Sequence, residues 1–162
     1  MLNIAKERDR DGKYIKIDSG KLPFENNFFD LVLVSFVLLE IDSQEKIIKI
    51  VEEINRVLKV GGIFVAINAS DNTYSHNWLT LNTDFPENKN INSGLRVKIE
   101  FKNFDLTIYD YFWKINDYIN MFSKAGLHVE KIHQPLGIDD DDYYWLDEKQ
   151  FSPCSVIICQ KK

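Results

Sequence analysis

Residues 29–67 read FDLVLVSFVLLEIDSQEKIIKIVEEINRVLKVGGIFVAI, and this stretch decides the fold. Phe29-Asp30-Leu31-Val32-Leu33-Val34-Ser35 is a nearly continuous apolar run, the pattern of a strand covered on both faces. Asp42 or Ser43 is placed to cap a helix in which Ile47, Ile48, Ile50, Val51, Ile54, Val57 and Leu58 recur at helical spacing up to Gly61-Gly62. Ile63-Phe64-Val65-Ala66-Ile67 is again a buried strand. Strand, helix and strand within one compact unit are the signature of a right-handed parallel crossover, so an α/β domain with a mostly parallel sheet is expected.

Working outward toward the start of the chain, Ser19-Gly20-Lys21-Leu22-Pro23-Phe24 is a loop and Tyr14-Ile15-Lys16-Ile17-Asp18 alternates like a short strand. Met1 to about Arg8 reads as the end of a helix, with Asp11-Gly12 as the turn after it. In the other direction, residues 68–95 turn polar and Asn-rich, a length that suits an insertion or substrate lid. Arg96–Phe101 and Asp105–Tyr109 then read as two strands, Ile115–Lys124 as an amphipathic helix ended by Gly126, and Leu127–Ile132 and Cys154–Cys159 as strands.

The chain has 162 residues, 44% hydrophobic and 28% charged, which fits one soluble globular domain with its own core. Net charge is -5 with Lys and Arg scattered, so no footprint for nucleic acid or anionic lipid is present. No run approaches the roughly 18 apolar residues of a membrane span, and the charged first turns do not resemble a signal peptide; a cytoplasmic protein is the default expectation. Cys154 and Cys159 lie an odd number of residues apart on one strand and point to opposite faces, so free thiols are expected rather than a disulfide or metal pair. The acidic run at residues 139–142 lacks the spaced ligands and glycine of a calcium loop, and no metal site is expected.

Four pieces then occur in a particular order. They are Asp18 with Leu22-Pro23-Phe24 and Phe28-Phe29-Asp30; Ser35-Phe36-Val37-Leu38-Leu39-Glu40-Ile41; Glu53-Ile54-Asn55-Arg56-Val57-Leu58-Lys59-Val60-Gly61-Gly62; and Asp110-Tyr111-Phe112-Trp113 followed by Tyr118, Phe122 and Ala125-Gly126-Leu127. Together they resemble class I S-adenosylmethionine-dependent methyltransferases of the type 11 kind. The third piece is similar to the family's E-x-x-R-V-L-K-P-G-G, with Val60 where proline is usual. Its reading from physical chemistry is structural: Arg56 and Lys59 lie in a last helical turn, where cations suit the dipole, and the paired glycines permit a sharp turn.

The resemblance implies a Rossmann-like fold with helices on both faces and S-adenosylmethionine as cofactor. It places Asp18, Ser19 and Leu22 beside the adenine, and Ser35, Phe36 and Val37 against the methionine part, facing a small-molecule methyl acceptor. The family's glycine-rich loop after its first strand has no counterpart among the 162 residues, and Met1-Leu2-Asn3-Ile4-Ala5-Lys6 matches the family stretch just after the second strand. Family strand order is 3-2-1-4-5-7-6, so the expectation is a partial domain lacking its first two strands. Such a fragment, or half of a split gene, would need a second chain to complete its sheet.

No catalytic pair stands out, because transfer from a sulfonium needs in-line geometry and a base only where the acceptor must lose a proton. His76, His128 and His133 read more readily as surface or satisfied residues than as bases. Tyr109, Tyr111, Trp113, Tyr143, Tyr144 and Trp145 are candidates for an aromatic acceptor pocket, with core packing as the simpler use. A non-catalytic fragment is the rival reading. A nicotinamide-dependent oxidoreductase is disfavoured by the lack of G-x-G-x-x-G after a strand.

Overall fold

The computed structural model describes residues 2–17, 20–139 and 142–162. A short helix α1 (Leu2–Arg8) comes first and buries none of its residues. Strand β1 (Phe29–Ser35), helix α2 (Gln44–Val57) and strand β2 (Leu58–Ala69) form the crossover that residues 29–67 predict, with β1 and β2 parallel from Leu31↔Ile63 to Ser35↔Ile67. Ser43 caps α2 by accepting from the Lys46 N–H, and Asp42 pairs with the Lys46 side chain. Gly61 takes φ +78 inside β2, where the register with β1 jumps, so the turn expected at the glycines is absorbed as an irregularity of a longer strand.

Beyond β2 the chain forms β3 (Leu81–Asn82), β4 (Arg96–Phe101), β5 (Leu106–Tyr111), α3 (Ile115–Lys124), β6 (Leu127–His133) and β7 (Cys154–Lys161). One sheet has the order β1-β2-β7-β6, matching the 4-5-7-6 part of the order implied by the resemblance; the other is β3-β4-β5. The main sheet is mixed. Only β1 and β2 pair in parallel, while β7 runs antiparallel to both β2 and β6, which lets it enter the sheet without a crossover helix.

Two expectations change. Residues 12–17 form no strand among the described residues: Tyr14 to Ile17 alternate as a strand does, but no neighbouring strand supplies a ladder for them. Among the described residues, α2 and α3 pack on one face of the sheet, and the other face lacks the helices expected there. The α2 and α3 residues Ile47, Val51, Tyr118 and Phe122 meet Phe64 and Ile157 in the principal core, and the rings of Phe64 and Phe122 lie edge to face at 5.3 Å. The face of β1 opposite the core leaves Leu31 and Leu33 more than half exposed. Residues 68–95, the expected insertion or lid, are packed despite their polarity. Trp78 is fully buried with its indole N–H donating to Thr73 O, Asn88 bonds Thr83 O and Lys98 O, and the Glu148 carboxylate accepts from the Leu79 N–H.

The turn from α3 to β6 tests the backbone argument. Gly126 sits at φ +82, and a Cβ there would lie 2.8 Å from Nδ2 of Asn55, whose amide donates to Ala125 O and ties α2 to the end of α3. Gly126→Ala is expected to cost about 1–3 kcal/mol, seen as a lower urea midpoint. An unchanged midpoint would refute the strain at this turn.

Candidate active site

Parallel strands β1 and β2 end side by side at Ser35 and Ile67, and in open α/β sheets ligands bind outside such carboxyl ends. The chain leaves β1 through a sharp bend. Phe36 adopts φ +53, a left-handed conformation uncommon for an aromatic residue, and its N–H donates to Ile67 O at 2.8 Å. Leu38 and Leu39 are buried in the adjoining 3-10 turn, which anchors the bend, while Phe36 and Val37 stay about half exposed.

Phe36 also lines a cavity of about 390 Å³ between the end of the main sheet and the β3-β4-β5 sheet. Its walls are mostly apolar, from Leu39, Leu81, Ile99, Phe101 and Ile108, and its lining holds two carboxylates, Glu40 and Asp110, with no Lys, Arg or His. Strand alternation puts Asp110 there: β5 pairs Ile108 with Ile99 and Asp110 with Val97, so the acid stands on the apolar face of the small sheet. Asp110 is 3% exposed, and its carboxylate accepts no hydrogen bond from a described residue. Burial, and then the nearby charge of Glu40, push its pKa up to about 6. Burial likewise raises the thiol of Cys154, which also lines the cavity.

The sequence-derived site residues divide. Ser35, Phe36 and Val37 come together at the bend beside the cavity. Leu22 lies elsewhere, in a hollow of about 270 Å³ along β1 with Leu33, Val34 and Ile54. Asp18 and Ser19 lie outside the described residues. Arg56, read from sequence as a dipole complement, proves to be the clamp of the loop that carries Leu22. Its guanidinium donates to Leu22 O, Phe24 O, Asn26 Oδ1 and the Glu53 carboxylate, and Glu53 accepts from the Leu22 N–H. Hydrogen bonding from Arg56 holds the Glu53 carboxyl below its ordinary range against the opposing effect of burial. Lys59 pairs with Asp30 across to β1. Arg56→Lys removes the fork that spans these acceptors, so glutamyl endopeptidase is expected to cut after Glu25 several times faster. Equal cleavage rates would show that the loop is held by other means.

The aromatic pocket does not assemble. Trp113 is buried with its indole N–H on Ile41 O, Tyr109 lies under the Arg96 guanidinium, Tyr143 and Tyr144 are exposed, and none of the six candidates lines the cavity. His76 stacks on Phe151, and His128 and His133 are exposed. Asp110 and Glu40 are the chemically useful groups that sequence reading quoted within the family pieces but gave no role. The available signal was an acid in phase with Leu106 and Ile108, on the apolar side of an alternating strand. The two cysteines are free, with Cys159 buried and its thiol pushed up to about 12 by burial. Among the described residues no cluster of metal-ligating side chains occurs, and no helix is long and apolar enough to cross a membrane.

Comparison with known proteins agrees with this geometry. Residues 1–66 match the methyltransferase domain family of type 11. Among curated proteins, the chain is 34% identical over 79 residues to the ubiquinone/menaquinone biosynthesis C-methyltransferase of Coxiella burnetii, a match covering 45% of this chain and 30% of that protein. It is 37% identical over 76 residues to the demethylmenaquinone methyltransferase of Staphylococcus saprophyticus, covering 45% and 31%. The chain thus spans less than a third of the curated relatives it matches. Among solved structures, a putative S-adenosylmethionine-dependent methyltransferase from Listeria monocytogenes superposes with TM-score 0.69 at 19% identity, covering 100% of this chain and 75% of that one. One from Mesorhizobium loti gives 0.69 at 14% identity, covering 99% and 76%.

Sheet order, the bend after β1 and the solved-structure matches define a Rossmann-like fold of the class I methyltransferase kind. Within that fold, residues 1–66 are similar to the methyltransferase domain of type 11.

Proposed function

We propose that this domain serves methyl transfer from S-adenosylmethionine to a small molecule held in the cavity beside Phe36. The observation that carries the reading is the bend at Ser35–Val37: one residue, Phe36, belongs both to the segment that leaves the parallel strand and to the cavity wall. The donor's positively charged sulfonium supplies the methyl group when bound. The residues present suit such a charge, with an aromatic face at Phe36, a carboxylate at Glu40 and no basic side chain in the lining. Phe36 and Val37 would orient the donor, the apolar walls would exclude water, and Asp110 is the group placed to hold the acceptor or a proton. The packed 68–95 segment contributes Ala69, Thr73 and Leu81 to the wall and acts as the cover of the acceptor site.

Titration with S-adenosylhomocysteine by calorimetry tests this reading. Saturable binding is expected, weakened about tenfold in Val37→Asp with the thermal midpoint unchanged. Equal affinity of that variant would remove the bend from the donor site.

A second reading rests on the free edge of β1, whose only partner among the described residues is β2, and on the uncovered sheet face beside it, where Leu31 and Leu33 are exposed. Here the chain is one part of an assembly in which a further polypeptide pairs along β1 before cofactor binds. A monomer by light scattering that binds S-adenosylhomocysteine tightly would rule this out.

A further inference from the structure

Asp110 is enclosed almost completely, has no hydrogen-bond donor from a described residue, and shares its cavity with Glu40 and no cationic side chain. A carboxylate buried without a counter-charge is costly, and the cost disappears when a cation fills the space. The remaining walls are hydrocarbon, and about 390 Å³ is the size of a small-ligand pocket. A metal ion fits poorly, because only two carboxylates face a largely apolar chamber and no group of three metal-ligating side chains occurs among the described residues.

From this arrangement we infer that the cavity selects a protonated amine carried on an apolar body, with the ammonium against Asp110 and the hydrocarbon against Leu81, Ile99, Phe101 and Ile108. Glu40, exposed where Asp110 is buried, extends the negative field toward the opening and draws the cation inward. The inference rests on the methyltransferase reading only in making this amine the methyl acceptor; the binding preference stands on the cavity alone. In that transfer the ammonium first passes a proton to the Asp110 carboxylate. The freed nitrogen lone pair then attacks the sulfonium methyl carbon as the carbon–sulfur bond breaks and S-adenosylhomocysteine leaves. Phe36 adds an aromatic face to the same lining.

The experiment uses three probes of one shape: 2-phenylethylamine, 2-phenylethanol and 3-phenylpropionate, each titrated calorimetrically into the full chain at pH 8. The amine is expected to bind about tenfold more tightly than the alcohol, with the propionate weakest. Asp110→Asn is expected to abolish the preference for the amine while the alcohol binds as before, which also shows that the variant is folded. Glu40→Gln is expected to lower amine affinity by a smaller factor.

Failure of the amine to bind at about 10 mM, equal affinity for amine and alcohol, preference for the propionate, or an amine preference that survives in Asp110→Asn would each overturn the inference. The S-adenosylhomocysteine titration separates the two readings. Amine selectivity without nucleoside binding leaves the cavity assignment standing and removes methyl transfer by this chain alone, and nucleoside binding without amine selectivity does the opposite.

Discussion

Asp110→Asn is expected to raise the thermal midpoint at pH 8 and to leave it nearly unchanged at pH 4. The carboxyl titrates at about 6 in the folded chain against an ordinary value of 3.8, so the native state holds its proton more tightly than the unfolded state does. The contribution of Asp110 to wild-type stability therefore falls as pH rises from about 4 to about 6 and then levels off, a loss on the order of 3 kcal/mol. Asparagine keeps the shape, carries no charge and lacks that loss. For a chain of this size the gain at pH 8 corresponds to roughly 6–12 °C.

The other titratable groups around Asp110 do not mimic the effect. The hydroxyls of Tyr74 and Tyr118 and the thiol of Cys154 are all raised above their ordinary values and stay protonated across this window. Glu40 adds like charge to Asp110 and works in the same direction. Scanning calorimetry from pH 4 to pH 8 decides the matter, and parallel curves for wild type and variant would show that the acid is not desolvated.

The largest loss is expected for Trp78→Ala. Trp78 is 1% exposed, donates its indole N–H to Thr73 O at 2.6 Å, and accepts the Lys102 ammonium on its carbonyl. Removing so large a buried side chain costs about 3–5 kcal/mol, or roughly 6–20 °C in midpoint. Thr73 lines the cavity, so ligand affinity is expected to fall along with stability. A midpoint lowered by less than about 2 °C would mean that this segment does not unfold with the rest of the domain.

These two residues also show where sequence was informative and where it was not. Helix α2 was legible because its apolar positions recur on one face, and α3 because its amphipathic stripe ends at Gly126. The bend at Phe36 was legible through its resemblance to a known segment, yet nothing local to Phe36 announces a left-handed residue. Trp78 sits in a stretch rich in Asn, Thr and Ser, and composition there hides a small core built on Tyr74, Val97 and Phe112. Side-chain amides and hydroxyls satisfy the backbone of that segment, so polarity marked irregular structure rather than mobility. Asp110 drew no role from sequence because its chemistry depends on β4 lying opposite, a pairing across a turn that fixes which face the acid occupies. Tyr14–Ile17 shows the converse, since alternation alone makes no strand without a neighbour to bond.

Strand β7 stands between β2 and β6, and Gln160 reaches back to Gly61 over a separation of 99 residues. Until β7 inserts, β6 has no ladder and β2 keeps one flank bare. The sheet is therefore closed by its most sequence-distant pairing, and the entropy of that closure is met before the contacts return it. A chain emerging from the ribosome would hold the β1-α2-β2 crossover early and wait for β7 to seal it. During that wait an apolar strand edge is open to chaperones and to aggregation alike.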